Sequence, residues 1–547
     1  MLTARLIGGA GTGKTTELLR IMDAALESLH DPLRLGFASF TRAARGEAVA
    51  RAAARWNVDE RLLSEQGWFR TIHSTVYRCL QIGHGEIISN SKADTAWLSE
   101  ALGVQLATVI AEDTGAESYL GDPVAQASLD CWSLARASLT PLTEIARRAK
   151  SVDDNVPDYA AIVRLCERYE TRKRLDGRMD FADLLCRFAG VTMTPDTDVR
   201  RREPEGELPD VSAWLFDEQQ DASPLLDAVC QRLVSAPSVQ WCYVVGDPFQ
   251  SIYGYAGSNS KCFLGWEANK QRTMPKSYRC PAPILELGER CLRRMHTGYF
   301  DRGIAPADHE GSVTEIGGIE AGVARVDPRA DWLLIARTKY QTKRLAAEMH
   351  AQGKPMRWAS ADTGITNRGI GLLALYSLSQ GNAVTGHQWA KALELLPVKD
   401  RHKQAILVRG AKTRWRNPDE AKHWDQIYPN ELTAMGATEA LAAAIASGEW
   451  VSLVDGGAQW KRMADKWGAE LASEPRVRVG TIHSVKGAEA DHVLLLTTTS
   501  NIVAAGEEDA VQHDEECRIA YVAVTRTRRN LYVVNEGKPG TKRMEIL

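Results

Sequence analysis

A glycine-rich run close to the start constrains this chain more than any other feature. An apolar segment, residues 2 to 7, comes directly before the run, and a helix-forming stretch, residues 16 to 29, follows it. The run consists of Gly8, Gly9, Ala10, Gly11, Thr12, Gly13, Lys14 and Thr15. Strand, phosphate loop and helix in this order let backbone N–H groups and a helix N-terminus face a chain of phosphates. The pattern therefore predicts a site for a nucleoside triphosphate.

The end of this loop and a second segment supply charges for that site. Lys14 can neutralise the β and γ phosphate oxygens, and the Thr15 hydroxyl can bind Mg²⁺. A second apolar segment, residues 214 to 216, ends in Asp217 and Glu218. We predict that Asp217 holds Mg²⁺ and that Glu218 accepts a proton from the attacking water. An Asp-Glu pair alone is more often a solvated turn, but the adjoining Gln-Gln-Asp favours the site.

Length, charge and cysteine usage limit the class of protein. A chain of 547 residues with 44% apolar and 25% charged residues predicts a soluble protein of three or four domains. It contains no apolar run of about 18 residues, so we expect no membrane association and a cytoplasmic location. None of the ten cysteines forms a C-x-x-C pair. The net charge of -3 means that any nucleic-acid surface must be a local patch.

Further short motifs follow in a recognisable order. With the phosphate loop and residues 217 to 221, they resemble the motifs of UvrD/Rep-type superfamily 1 DNA helicases. The matching segments are 37–44 (FASFTRAA), 71–74 (TIHS), 179–185 (MDFADLL), 245–253 (VGDPFQSIY), 277–280 (SYRC), 332–338 (WLLIART), 481–489 (TIHSVKGAE) and 520–526 (AYVAVTR). Because so many motifs recur in one order, the resemblance is far more specific than any single motif.

The resemblance implies an α/β fold with two RecA-like parallel-sheet motor domains, ATP in the cleft between them and two mainly helical insertions. The expected segments are motor domain 1A at 1–87 and 179–275, insertion 1B at 88–178, motor domain 2A at 276–363 and 475–547, and a short insertion 2B at 364–474. Insertion 2B also holds a run of cations. A solvated helix face and a duplex-contacting surface are both open interpretations of that run.

The resemblance also implies roles for individual residues at the nucleotide. Gln250 would report the γ-phosphate, and Arg279 and Arg526 would stabilise the charge of the transition state. Tyr278 would stack on the adenine, and Glu489 would reach the ribose. Thr16 belongs to the expected ATP-binding residues but stands where the family often has an arginine, which predicts weak selectivity among bases.

A second group of residues would contact the DNA strand. Three aromatic residues would stack on bases, and three hydroxyls would donate to phosphates. The stacking residues are Phe40, Tyr253 and Tyr255, and the hydroxyl residues are Thr41, Ser74 and Thr481. Tyr255 replaces the tryptophan usual in the family.

The expected function is that of a 3′-to-5′ DNA helicase, which uses ATP and Mg²⁺ to move along single-stranded DNA and to separate strands at junctions with duplex. Loading partners are not visible in the sequence. Two alternatives share the same motifs: a translocase that displaces bound proteins with little unwinding, and an ATP-switched DNA-binding module with low turnover. Glu218, Arg279 and Arg526 together argue against the last.

Overall fold

In the computed structural model the chain divides into two units. The first comprises residues 1–310 and 501–525, and the second comprises residues 311–500 and 526–546. The structure describes residues 1–40, 42–89, 91–110, 117–359, 365–500, 503, 509–536 and 542–546. None of the described helices has both the length and the apolar character needed to cross a bilayer. The borders of domains 1A, 1B, 2A and 2B remain a prediction.

The first unit is built on a six-stranded sheet of order β10-β1-β9-β8-β2-β3. Every neighbouring pair in this sheet is parallel. Three short ladders accompany it: β4 with β5, β6 with β7, and β11 with β12. The strands are β1 (Leu2–Ile7), β2 (Leu35–Ser39), β3 (Trp68–Thr71), β4 (Leu106–Ile110), β5 (Glu117–Gly121), β6 (Val191–Thr192), β7 (Arg200–Arg201), β8 (Ala213–Phe216), β9 (Trp241–Gly246), β10 (Lys270–Thr273), β11 (Lys276–Pro281) and β12 (Ala305–Ala307).

Helices cover both faces of this sheet. The described helices of residues 1–310 are α1 (Lys14–Leu29), α2 (Arg42–Trp56), α3 (Ile72–Leu80), α4 (Lys92–Leu102), α5 (Pro123–Ser138), α6 (Leu142–Val152), α7 (Tyr159–Leu175), α8 (Phe181–Ala189), α9 (Pro224–Val234), α10 (Ser260–Leu264) and α11 (Ala282–Leu292). Successive residues of β8 point to opposite faces. Leu215 packs in the core beneath α1 and α2, whereas Trp214 and Phe216 pack in the core beneath α8 and α9. Strands buried on both faces explain the unbroken apolar run that ends in Asp217.

The segment between β3 and α8 has a hydrophobic core of its own, centred on Trp132, Tyr119 and Tyr169. This core lies among α4 to α7 and the β4–β5 hairpin. A buried ionic cluster connects α5 and α7 to the start of α8: the Arg136 guanidinium lies 2.8 Å from Asp180, and the Lys173 ammonium lies 2.7 Å from the same carboxylate. These two cations neutralise a cluster of carboxylates, Glu170, Asp180 and Asp183, whose oxygens lie close enough together to hold a metal ion.

The second unit has another six-stranded sheet, of order β13-β18-β17-β14-β16-β15, with every neighbouring pair parallel. Its strands are β13 (Ser312–Ile316), β14 (Trp332–Ala336), β15 (Arg357–Trp358), β16 (Val477–Thr481), β17 (Ala490–Leu496) and β18 (Thr527–Val534). The helices are α12 (Ile319–Ala324), α13 (Lys339–Ala351), α14 (Ile365–Ser379), α15 (Gly386–Leu395), α16 (Ala411–Trp415), α17 (Pro418–His423), α18 (Glu439–Ala446) and α19 (Gly457–Trp467).

Helices α14 to α18 pack around Trp389, Trp415 and Trp450, in a core distinct from the core on the sheet. One last helix, α20 (Ala510–Val524), lies in the first unit, where it packs on α11. The predicted α/β fold with two parallel sheets and mainly helical insertions is confirmed.

Candidate nucleotide site and strand-contacting residues

The nucleotide-site motifs of the first unit lie at one edge of its sheet. Strands β1, β9 and β8 are neighbours and run parallel, so their carboxyl ends share that edge. The phosphate loop follows β1, Asp247 and Gln250 follow β9, and Asp217 and Glu218 follow β8. The sheet thus brings together motifs that are more than 200 residues apart in the chain.

The phosphate loop depends on two left-handed glycines. Gly13 (φ 80°) is the N-cap of α1, so that Lys14 begins the helix. Gly11 (φ 67°) lies so close to β11 that an added Cβ atom would come within 2.2 Å of the Arg279 Cβ atom. Its carbonyl accepts a hydrogen bond of 2.8 Å from the Tyr278 N–H. The predicted phosphate residues therefore form a curled loop at a helix N-terminus, as anion binding requires.

The acidic pair lies beside this loop in an unusual backbone conformation. Asp217 is buried, and burial together with the Glu218 carboxylate raises the pKa of Asp217 to about 7, although Lys14 acts in the opposite direction. Glu218 has a positive φ of 53°, which costs about 1 to 3 kcal/mol for a residue other than glycine. Its N–H donates to Asp217 Oδ1 over 2.9 Å. Strain of this kind is concentrated at functional sites.

The Thr15 hydroxyl and the Asp217 carboxylate are hard oxygen donors, which suit Mg²⁺. Both belong to elements at the same sheet edge, so the donor chemistry fits the predicted cation. Such an ion, when bound, would supply positive charge that offsets the charge of the phosphates.

Gln250, Tyr278 and Arg279 belong to the first unit. Gln250 is buried at the end of a 3₁₀ turn, and its amide nitrogen donates to Asp247 over 2.9 Å. The Tyr278 side chain is 70% exposed, and a Cβ atom added to Gly13 would lie 3.9 Å from its ring. That position beside the loop is suited to stacking on a base. The Arg279 guanidinium donates to the Thr525 carbonyl over 3.5 Å.

Arg526 and Glu489 belong to the second unit. The Arg526 side chain is buried, and its guanidinium donates to the Ala488 carbonyl over 3.2 Å. Glu489 lies 3.6 Å from the Arg528 guanidinium. These contacts place both predicted residues at the amino ends of β17 and β18.

The predicted strand-contacting residues divide by exposure. Tyr255 is 61% exposed, whereas Phe40 and Tyr253 are buried at 7% and 4%. Phe40 packs in the core beneath α8 and α9, so its ring faces are covered by protein. Thr41 lies outside the described residues.

Ser74 and Thr481 belong to the two copies of one short sequence, Thr-Ile-His-Ser, with one copy in each unit. In each, a parallel strand ends in a threonine whose hydroxyl accepts the N–H of the serine three residues later: Thr71 from Ser74 over 3.3 Å, and Thr481 from Ser484 over 3.2 Å. The recurring Thr-Ile-His-Ser is thus a helix or turn cap at a strand end. Hydroxyls and N–H groups at such ends can donate to phosphates.

Sequence reasoning gave no role to several buried polar residues of this site. The side-chain amide of Gln220 connects two motifs. Its oxygen accepts the Asp247 backbone N–H over 3.0 Å, and its nitrogen donates to the Glu218 carboxylate over 2.5 Å. Arg302 lies 2.6 Å from the Asp247 carboxylate. Tyr521 contacts the phosphate loop. Gln220, Asp247 and Tyr521 stand inside recognised motifs, whereas Arg302 lies in no motif and had no local signal.

A parallel sheet whose adjacent strand ends carry a phosphate loop, an Asp-Glu pair and a glutamine defines a nucleoside-triphosphatase fold of the phosphate-loop class. Comparison with known families narrows this class. Residues 3–271 match the UvrD/REP helicase N-terminal domain, and residues 463–536 match the UvrD-like helicase C-terminal domain. The chain belongs to the UvrD/Rep helicase family.

Curated relatives include the UvrD1 ATP-dependent DNA helicase of Mycobacterium leprae, 24% identical over 53% of this chain and 37% of its own length. The PcrA ATP-dependent DNA helicase of Leuconostoc citreum is 24% identical over 51% of this chain and 36% of its own. The RecB subunit of the RecBCD enzyme of Mycobacterium tuberculosis is 31% identical over 27% of this chain and 14% of its own. The matched regions therefore span well under half of each relative.

Proposed function

We propose that the protein is an ATP-dependent DNA helicase that moves 3′ to 5′ along single-stranded DNA and separates strands at duplex junctions. The observation that carries the proposal is the convergence of the phosphate loop, Asp217, Glu218 and Gln250 at one sheet edge of a UvrD/Rep family member. A module that merely switched on ATP binding would not need a strained acid beside the loop.

In this proposal the phosphate loop and Lys14 bind the β and γ phosphates, while Thr15 and Asp217 hold Mg²⁺. Glu218 accepts the proton of the attacking water, and Gln250 senses the γ-phosphate. Tyr278 stacks on the base, and Glu489 contacts the ribose. Arg279 and Arg526 stabilise transition-state charge.

Unwinding assays test this proposal. A partial duplex with a 3′ single-stranded tail should be separated in the presence of ATP and Mg²⁺, and the same duplex with a 5′ tail should not. A second assay should measure whether the same chain, with ATP and Mg²⁺, displaces a protein that is bound to single-stranded DNA. Displacement of that protein without strand separation would favour the translocase alternative.

Tyr255 offers the clearest test of strand contact, because its ring is exposed beside Tyr253 at a centroid distance of 6.1 Å. Tyr255→Ala should weaken binding of single-stranded DNA by roughly 1 to 3 kcal/mol with little dependence on base sequence. Fluorescence anisotropy with several oligonucleotides measures this loss. Tyr159→Ala removes another partly exposed tyrosine, from α7, and should leave binding unchanged; equal binding by the two variants would remove Tyr255 from the strand path.

The cationic run of the second insertion is a candidate duplex contact. Its members beside α16 are mostly exposed, and Arg414 pairs with Glu420. The cations to neutralise together are Arg409, Lys412, Arg414 and Arg416. We expect their replacement by glutamine to impair unwinding and to reduce the salt dependence of duplex binding. ATPase activity on single-stranded DNA should persist; equal loss of both activities would show that the variant is generally damaged, and loss of neither would show a solvated face.

A further inference from the structure

The Asp247 carboxylate is the centre of a buried hydrogen-bond network beside the proposed nucleotide site. Asp247 is fully buried. One of its oxygens accepts from Arg302 over 2.6 Å, and the other accepts from the Tyr521 hydroxyl and the Gln250 amide, each over 2.9 Å. An ionised carboxylate can accept this many hydrogen bonds, and it requires them when buried.

Arg302 supplies the compensating charge. Its second terminal nitrogen contacts Glu289, so one guanidinium joins two carboxylates. The guanidinium also lies 4.7 Å from the centroid of the Phe249 ring and 5.0 Å from that of Tyr521. Burial alone would lower the pKa of Arg302, but the neighbouring Asp247, Tyr521 and Glu289 raise it above its ordinary value. The Arg302 guanidinium is therefore a buried cation that contacts two carboxylates and two aromatic rings.

Tyr521 connects this cluster to the phosphate loop. Its hydroxyl donates to Asp247 and accepts the Ala10 N–H over 3.1 Å. The Ala10 carbonyl in turn accepts from the Ser277 hydroxyl over 2.8 Å. Side chains from outside the loop therefore bind both the N–H and the carbonyl of Ala10. The Tyr521 hydroxyl, which accepts the Ala10 N–H, also donates to Asp247.

The amide orientation of Gln250 follows from the same network. Because its nitrogen donates to Asp247, its carbonyl oxygen lies at the opposite end of the amide, as an acceptor. An acceptor can bind a hydrogen of an attacking water, whereas the reversed amide would present a donor instead. Asp247 thus fixes the side-chain amide of Gln250 with its nitrogen toward Asp247 and its oxygen away from it.

We propose that Arg302 and Tyr521 are positioning residues for ATP hydrolysis, which act by holding Asp247 so that Gln250 keeps its catalytic amide orientation in register with the phosphate loop. This inference rests on the proposed function, because it assigns a task to residues of the same site. Neither residue needs to touch the nucleotide.

A double-mutant cycle on the basal ATPase rate tests the inference. Tyr521→Phe removes one hydroxyl and keeps the ring. We expect it to lower kcat about tenfold, as the loss of a hydrogen bond to a buried charge predicts, while KM for ATP changes less than about twofold. In a Gln250→Ala background the same substitution should lower kcat less than about twofold, because nothing remains to be oriented. Arg302→Lys, which keeps the charge but cannot contact both carboxylates, should behave in the same way.

Tyr169→Phe is the matched control, since Tyr169 is also a buried tyrosine that donates to a buried aspartate, Asp180, over 3.2 Å. It should leave kcat unchanged. An equal fall in kcat for Tyr521→Phe in both backgrounds, or no fall in either, would overturn the inference. DNA stimulation of the wild-type rate is read separately and reports on the proposed function alone; a wild-type chain that hydrolysed no ATP at all would overturn both.

Discussion

Glu218→Gln should lower the rate of ATP hydrolysis by at least about a hundredfold, whereas ATP binding should be retained. The substitution preserves the size of a side chain that already accepts a hydrogen bond from Gln220, but it removes the group proposed to take a proton from water. We expect kcat to fall by about 10² to 10⁴, the usual contribution of a general base. Binding of a fluorescent ATP analogue and steady-state phosphate release measure the two quantities.

Two further variants serve as comparisons for Glu218→Gln. Lys14→Ala should weaken ATP binding itself, because it removes the cation proposed for the β and γ phosphates. Glu100→Gln changes an exposed glutamate of α4 in the same way as Glu218→Gln and should have no effect on either quantity. Normal hydrolysis by Glu218→Gln would show that another group is the base.

The second large effect concerns the two proposed transition-state arginines. Arg279→Ala and Arg526→Ala should each lower kcat by on the order of a thousandfold, since an arginine finger contributes that much or more to phosphoryl transfer. Ground-state binding of ATP should change little, because the charge that these residues stabilise develops only in the transition state. Pre-steady-state measurement of a single turnover separates the two effects.

The lysine variants provide the control, because Arg279→Lys and Arg526→Lys keep the charge but lose the planar fork of donors. They should recover only part of the rate. Arg329→Ala, which removes an exposed arginine paired with Glu470, should leave kcat unchanged. An Arg526→Ala variant with full activity would show that Arg526 only stabilises the segment just before β17, where its guanidinium donates to the Ala488 carbonyl.

The parts of the site that could be predicted from sequence are those written in short local patterns. The phosphate loop requires glycines, a lysine and a threonine in one order, and Asp217 follows a strand that is apolar because it is buried on both faces. The parallel order of the sheet then brings these motifs together. For these two motifs, the local pattern and the fold agree on where the residues lie.

The contacts of Arg302 could not be predicted in this way. Arg302 and Tyr521 are 219 residues apart, and Tyr521 and Ala10 are 511 apart. Such contacts depend on how α20 packs against α11, which no local spacing encodes. For Phe40 a local motif was present, but it did not predict burial. The motif implies contact with the DNA strand, whereas the ring of Phe40 is buried in the core beneath α8 and α9.

The rate of ATP hydrolysis with and without single-stranded DNA tests the central claim most directly. We expect single-stranded DNA of mixed sequence to raise the rate at least about tenfold, with single-stranded RNA of the same sequence giving a much smaller increase. In the same assay Glu218→Gln should hydrolyse ATP at least about a hundredfold more slowly than the wild-type chain with either nucleic acid. A rate that is the same with and without DNA, or that RNA raises as much as DNA does, would contradict the account of this chain as a DNA-driven motor.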